Sequence, residues 1–222
     1  MRKLALAAAA LLCASALAAQ ETASPNLPNL PDLPGLEDLP EPTRYLAGYV
    51  AAAGGWSAPF GGHWGDGSSG FKPSQAFSLS ALRRVDEVLG YGLESGYAWN
   101  HLNRDVAALK VKVFYLTPFV RVSFPSGETV YYGTLGAGVY QWSQPAYEAV
   151  GTRYPSDSGS SAGMNLGAGV SYPFWFGTRL GVDLRWHRIF NMKGSNLKLD
   201  TADSINAMVV LHYGVWRERG EK

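Results

Sequence analysis

The stretch Glu128–Trp142, ETVYYGTLGAGVYQW, limits the fold more than any other part of the chain. Tyr131, Leu135, Ala137 and Val139 fall on one side of a two-residue alternation, and Tyr132, Thr134, Gly136, Gly138 and Tyr140 fall on the other. A helix is disfavoured, because each of Gly133, Gly136 and Gly138 costs about 1 kcal/mol against alanine inside one. A strand fits, since successive side chains of a strand point to opposite faces. One face is mainly apolar, and the other carries glycines and hydroxyls.

Eight segments of this kind follow one another from Arg44. They cover about 44–54, 75–85, 91–100, 109–124, 128–142, 162–172, 178–190 and 204–216. In the fourth, the alternation changes phase at Pro118, and a proline inside a strand favours a bulge or a broken ladder. The connections alternate in length. Those at 56–74, 143–161 and 191–203 are long, those at 86–90, 125–127 and 173–177 are short, and 101–108 lies between. No stretch after the N-terminus is an uninterrupted apolar run of helix-spanning length. A closed barrel crosses a membrane without one, because every backbone group finds a partner within the wall.

Charged residues are 17% of the chain, below the roughly 25% of soluble domains, while aromatics are 13%. A net charge of +1 leaves no basic footprint for nucleic acid. At the N-terminus, Arg2 and Lys3 precede an apolar run from Leu4, and Ala16-Leu17-Ala18 is a small-x-small cleavage site. This is the pattern of a secretory signal peptide over 1–18. Cys13 is the single cysteine and leaves with the signal, so disulfides, thiolate metal sites and cysteine catalysis are not expected.

Residues 19–43 form a Pro-rich linker. Its triplets run Pro25-Asn26-Leu27, Pro28-Asn29-Leu30, Pro31-Asp32-Leu33, Pro34-Gly35-Leu36 and Glu37-Asp38-Leu39. Polyproline II has three residues per turn, which would align the leucines along one edge. Such a segment reads as a semi-rigid spacer or as a docking strip for a periplasmic partner. A barrel over 44–217 and a charged tail over 218–222 complete the chain.

The charges decide which strand face meets lipid. A charge on the lipid face costs about 2–4 kcal/mol near the bilayer midplane. Glu94, Lys110, Lys112, Arg121, Asp183, Arg185 and His187 are therefore placed in the bore as a polar cluster, and the apolar face outside. Tyr45, Tyr91, Trp99, Trp142, Tyr172, Trp175, Trp186 and Trp216 are expected to form interfacial girdles. Outer-membrane barrels keep short turns on the periplasmic side and long loops outside, so the N-terminus is expected to be periplasmic. The fold class is all-β: an eight-stranded antiparallel up-and-down transmembrane barrel behind an extended Pro-rich linker.

The chain resembles the small eight-stranded outer-membrane barrels of Gram-negative bacteria, the OmpA-like, OmpW-like and opacity-type porin family. The residues that carry the resemblance are YYGTLGAGVYQW and the run Asp183-Leu184-Arg185-Trp186-His187-Arg188-Ile189-Phe190, with Tyr172 and its apolar turn. Members usually end on an aromatic residue read by the barrel-assembly machinery. Here Trp216 is followed by Arg217–Lys222, so that signal is expected to be internal or less efficient.

An eight-stranded barrel is narrow enough to be filled by side chains. The function expected is structural or surface interaction through the outer loops, with outer-membrane lipid or lipopolysaccharide around the wall. An OmpW-like conduit for small hydrophobic molecules, opening near Pro118, is one alternative. A lipid-modifying enzyme around His187 and the same-face Asp183 is another. It lacks a serine at a convincing spacing, so no catalytic residue is assigned. Metal binding by His63, His101 and His187 would need separate loops to converge. No cofactor or metal motif is present.

Overall fold

The computed structural model describes residues 44–65 and 70–218. The expected signal peptide, the linker and all but the first residue of the tail lie outside the described residues.

Among the described residues, ten strands follow in order. They are β1 (Arg44–Phe60), β2 (Ser74–Arg84), β3 (Leu89–Leu102), β4 (Lys110–Ser126), β5 (Thr129–Gln144), β6 (Tyr147–Ala149), β7 (Thr152–Tyr154), β8 (Asp157–Pro173), β9 (Thr178–Lys193) and β10 (Lys198–Glu218). Eight of them close into a barrel in which each pairs antiparallel with its sequence neighbour, and β1 pairs with β10 to seal it. Strands β6 and β7 form a separate hairpin in the β5–β8 connection. Closure matters because it leaves no edge strand with unpaired backbone groups.

The faces divide by charge. In β9, Leu180, Val182 and Leu184 are 40%, 53% and 59% exposed on the outer wall. Between them, Asp183 and Arg185 are only 3% and 6% exposed, inside. The outward side chains of β4 from Phe114 to Phe124 are Leu116, Pro118, Val120 and Val122, with no charge among them. That length of strand is about 33 Å, or about 25 Å of height at a typical tilt, which matches the apolar band of outer-membrane barrels. Water would not tolerate so continuous an apolar belt on a monomer. Hydrocarbon is the solvent that fits it.

Glycines admit the large inward side chains. A Cβ at Gly96 would strike the ring of Tyr115, one at Gly163 the ring of Tyr140, and one at Gly169 the ring of Tyr132. These glycines of β3 and β8 are therefore sockets for tyrosines of the adjacent strand.

Two expectations about the strands are corrected, and one face that the sequence left open is assigned. First, β4 runs through Pro118 with its pairing to β3 and β5 in constant register, and the inward series Tyr115, Thr117, Phe119 and Arg121 keeps its phase. Only the β5 rungs at Thr117 and Pro118 are missing, because proline has no N–H to donate. The bulge lies instead in β3, between Ala98 and His101, where Asn100 takes φ 52°. Secondly, Tyr49 and Ala51 of β1 face the bore while Val50 and Ala52 face out. The run Val50–Ala53 is apolar on both faces, so alternation alone had nothing to sort. Pairing with β10, after a shift between Leu46 and Gly48, chose the face. Thirdly, 191–203 is mostly strand: β9 and β10 continue past the apolar band and meet in a turn where Gly194 N–H donates to Leu197 O.

Candidate functional site

The interior has three levels. At mid-height the charges meet. Arg185 bridges two carboxylates: it pairs with Glu94 and, at 3.0 Å, with Asp183. The Tyr115 hydroxyl donates to Glu94 at 2.9 Å. One cation between two buried acids explains how these ions survive out of water, since a buried charge needs both a counter-ion and hydrogen bonds. Beside them, the Asn206 amide donates to Nε2 of His187 at 3.1 Å, and Nδ1 faces the Tyr140 hydroxyl at 3.0 Å. Asn165 donates to Thr117 at 3.1 Å. His187 thus meets neither Asp183 nor a serine in a hydrogen bond, and the half-triad considered from the sequence does not form.

Toward the end where the long loops lie, the interior becomes apolar. Val111, Val113, Trp142, Ile189 and Met192 form a core with Trp64 and Phe71 of the 61–73 loop and Leu197 of the β9–β10 turn. Trp64 Nε1–H donates to Ser204 at 3.1 Å, fixing Trp64 over the bore. His101 is held there by Lys72 O at 3.1 Å and Ser74 at 3.3 Å. This plug closes the loop end.

Toward the opposite end, where the tight turns lie, the bore opens. Arg121 donates to Nε2 of His212 at 3.1 Å and lies 3.6 Å above the Tyr132 ring. A cavity of about 200 Å³ begins below it, lined by Tyr49, Ser171, Arg179 and the β2–β3 turn. Asp86 in that turn accepts from the N–H groups of Leu89 and Val88, which hold its carboxyl below the usual range.

Of the polar cluster expected in the bore, Glu94, Arg121, Asp183, Arg185 and His187 lie there and are buried. Lys110 and Lys112 do not. They are on the outward face of β4, because the inward places at that level are taken by Val111 and Val113 of the plug. Charge is barred only from the hydrocarbon span, and these lysines stand beyond it. Trp142 is corrected too. It is fully buried in the plug, in step with Tyr140 on the inward series, where a girdle residue would face out. Tyr91, Trp99, Tyr172, Trp175 and Trp216 are exposed, Trp186 is half-buried, and the side chain of Tyr45 lies outside the described residues. His63, His101 and His187 stay apart, and no metal-binding cluster occurs among the described residues. The sequence reading omitted Tyr115, Tyr132, Arg179 and His212 from the polar cluster. Their inward phase was the available signal.

A filled bore, an uncharged apolar belt and closure of eight strands define the fold of the small outer-membrane barrels. Among solved structures, the chain is similar to neisserial surface protein A at 17% identity, with 74% of this chain and 95% of that one covered and a TM-score of 0.51. Ail of Yersinia pestis, in complex with the heparin analogue sucrose octasulfate, shares 16% identity over 77% of this chain and all of that one, at a TM-score of 0.46. OprG of Pseudomonas aeruginosa shares 12% over 79% and 98%, at 0.44. No protein-family model matches the chain, and no curated protein does.

Proposed function

We propose that this chain is a bacterial outer-membrane protein with a closed bore, acting through the surface its loops hold outside the cell. The turn end faces the periplasm and the loop end faces out. The observation that carries the reading is the apolar plug. A conduit has no use for Trp142, Met192 and Trp64 packed across its path, whereas a binding surface gains from loops fixed in advance. Lys110 and Lys112, outward and just beyond the aromatic band, suit the anionic headgroups or lipopolysaccharide of the outer leaflet. Each cation near such a surface contributes about 1 kcal/mol. Insertion falls to the barrel-assembly machinery, and the Pro-x-Leu repeats are the stretch for a periplasmic partner to read. The reading is non-enzymatic: both nitrogens of His187 are taken by Tyr140 and Asn206, with neither a serine nor an acid among its hydrogen-bond partners.

Planar-bilayer recording tests the closed bore. The purified protein is expected to give no discrete current steps, and reproducible steps would overturn the reading. The surface role is tested by displaying the protein on cells and measuring adhesion. Excision of 145–156 is expected to lower adhesion while the barrel stays heat-modifiable on gels. Unchanged adhesion after every loop excision would remove the surface role.

A further inference from the structure

The charges in the bore do not cancel level by level. Arg185 satisfies Glu94 and Asp183 together. Arg121, nearer the turn end, is only 7% exposed and makes no ion pair at contact distance among the described residues, the acid whose charge reaches it being Asp183. Its contacts are the Nε2 of His212 and the rings of Tyr132 and Tyr49, and its Nε–H has no partner. A second cation faces the same cavity. Arg179 donates to the Ser171 hydroxyl at 3.2 Å and to the backbone oxygens of Ser171 and Glu128, again with no carboxylate. Arg84 lines the rim, its Nε–H donating to the backbone oxygen of Asp86. The acids that share the rim are Asp86 and Glu87. Asp86 spends its Oδ1 on the N–H groups of Val88 and Leu89.

A buried guanidinium with an unused donor, aimed into a cavity with a second unpaired arginine, is electrostatically incomplete. Burial without a contacting counter-ion is costly, and the charge of Asp183 and the face of Tyr132 offset part of that cost. The remainder is what an anion would supply. Forked guanidinium donors match the oxygens of phosphate or carboxylate, and charge-assisted bonds of this kind are about twice as strong as neutral ones. About 200 Å³ accommodates a compact oxyanion with a few waters.

We infer that the turn-end mouth of the barrel is a binding site for a phosphate-type oxyanion, held between Arg121 and Arg179 with Ser171 beside them. The oxyanion is either a free ion or the headgroup of an anionic phospholipid at the rim. The site lies at the opposite end from the loop surface proposed above and does not depend on what those loops bind.

The test uses the full mature chain folded in neutral detergent. Thermal unfolding is followed while inorganic phosphate is titrated against sodium chloride at equal ionic strength, and a parallel titration uses short-chain phosphatidylglycerol against the phosphatidylcholine of equal length. The expected result is a saturable rise in midpoint with phosphate that chloride does not reproduce. Arg121→Gln is expected to weaken that response about tenfold or more, as loss of a charged hydrogen-bond donor does. A response confined to phosphatidylglycerol and weakened by the same variant assigns the site to a lipid headgroup. Heat-modifiable migration checks that the variant folds. If Arg121→Gln does not fold, the less buried Arg179→Gln is expected to weaken the response in the same way. The inference is overturned if phosphate and chloride act alike and the two lipids act alike. It is also overturned if the folded variants respond as the wild type does.

Discussion

Arg185 shows why single residues in the bore cannot be exchanged one at a time. Glu94→Gln leaves Arg185 with Asp183 as its one carboxylate partner and takes the charged acceptor from the Tyr115 hydroxyl. Breaking a buried pair from one side costs about 3–5 kcal/mol, whereas replacing all partners by apolar groups is often neutral. Urea unfolding from lipid vesicles is expected to show that loss for Glu94→Gln. Asp86, in contrast, sits in water. Its folded-state carboxyl is held below its ordinary value by the Leu89 and Val88 N–H groups. Its contribution to the turn is therefore present above the ordinary aspartate range and is lost as pH falls through the lowered value. Amide exchange at Val88 and Leu89 is expected to quicken on acidification below about pH 4, and in Asp86→Asn that dependence is expected to vanish. Equal exchange in both proteins across this window would show that the carboxylate does not hold the turn.

Strands long enough to leave the membrane are what give the loop end its own core. β5 carries Gly136 and Tyr140 within the apolar band and then Trp142 in the plug, so one alternation serves two solvents. Trp142→Ala opens a cavity at a fully buried site, where removing a large aromatic costs about 3–5 kcal/mol. The damage is expected to be confined to the loop end. Protease should cut 61–73 faster in the variant, while heat-modifiable migration persists. Loss of the folded band itself would mean that plug and belt are one cooperative unit. The loop-end stretches of β5 and β4 each differ from what the sequence alone suggests. An aromatic near a strand end was assigned to the girdle by type, although its phase placed it inside. Lysines in the fourth segment were assigned to the bore by charge, although that rule holds only at hydrocarbon depth. The face of β1 was not readable at all, because Ala51, Ala52 and Ala53 look the same from either side.

For the molecule as a whole, the claim is that hydrocarbon, and not water, surrounds the belt. Single-tryptophan variants in brominated lipid give a direct check. Emission from Trp99, 51% exposed on the outer wall, is expected to be quenched, and emission from Trp142 is expected to be spared. Equal quenching at both sites would contradict the closed head. The number of barrel strands, their direction and the inward place of Glu94, Arg121, Asp183, Arg185 and His187 were determined by the sequence alone, because a two-residue period and the cost of a charge in lipid are local rules. The tertiary structure alone decided where the hydrocarbon depth ends, which arginine finds an acid and which does not, and how the loops are sealed. Those depend on partners far apart in the chain, and only closure of the barrel brings Arg121 to His212, Arg185 to Glu94 and Trp64 to Ser204.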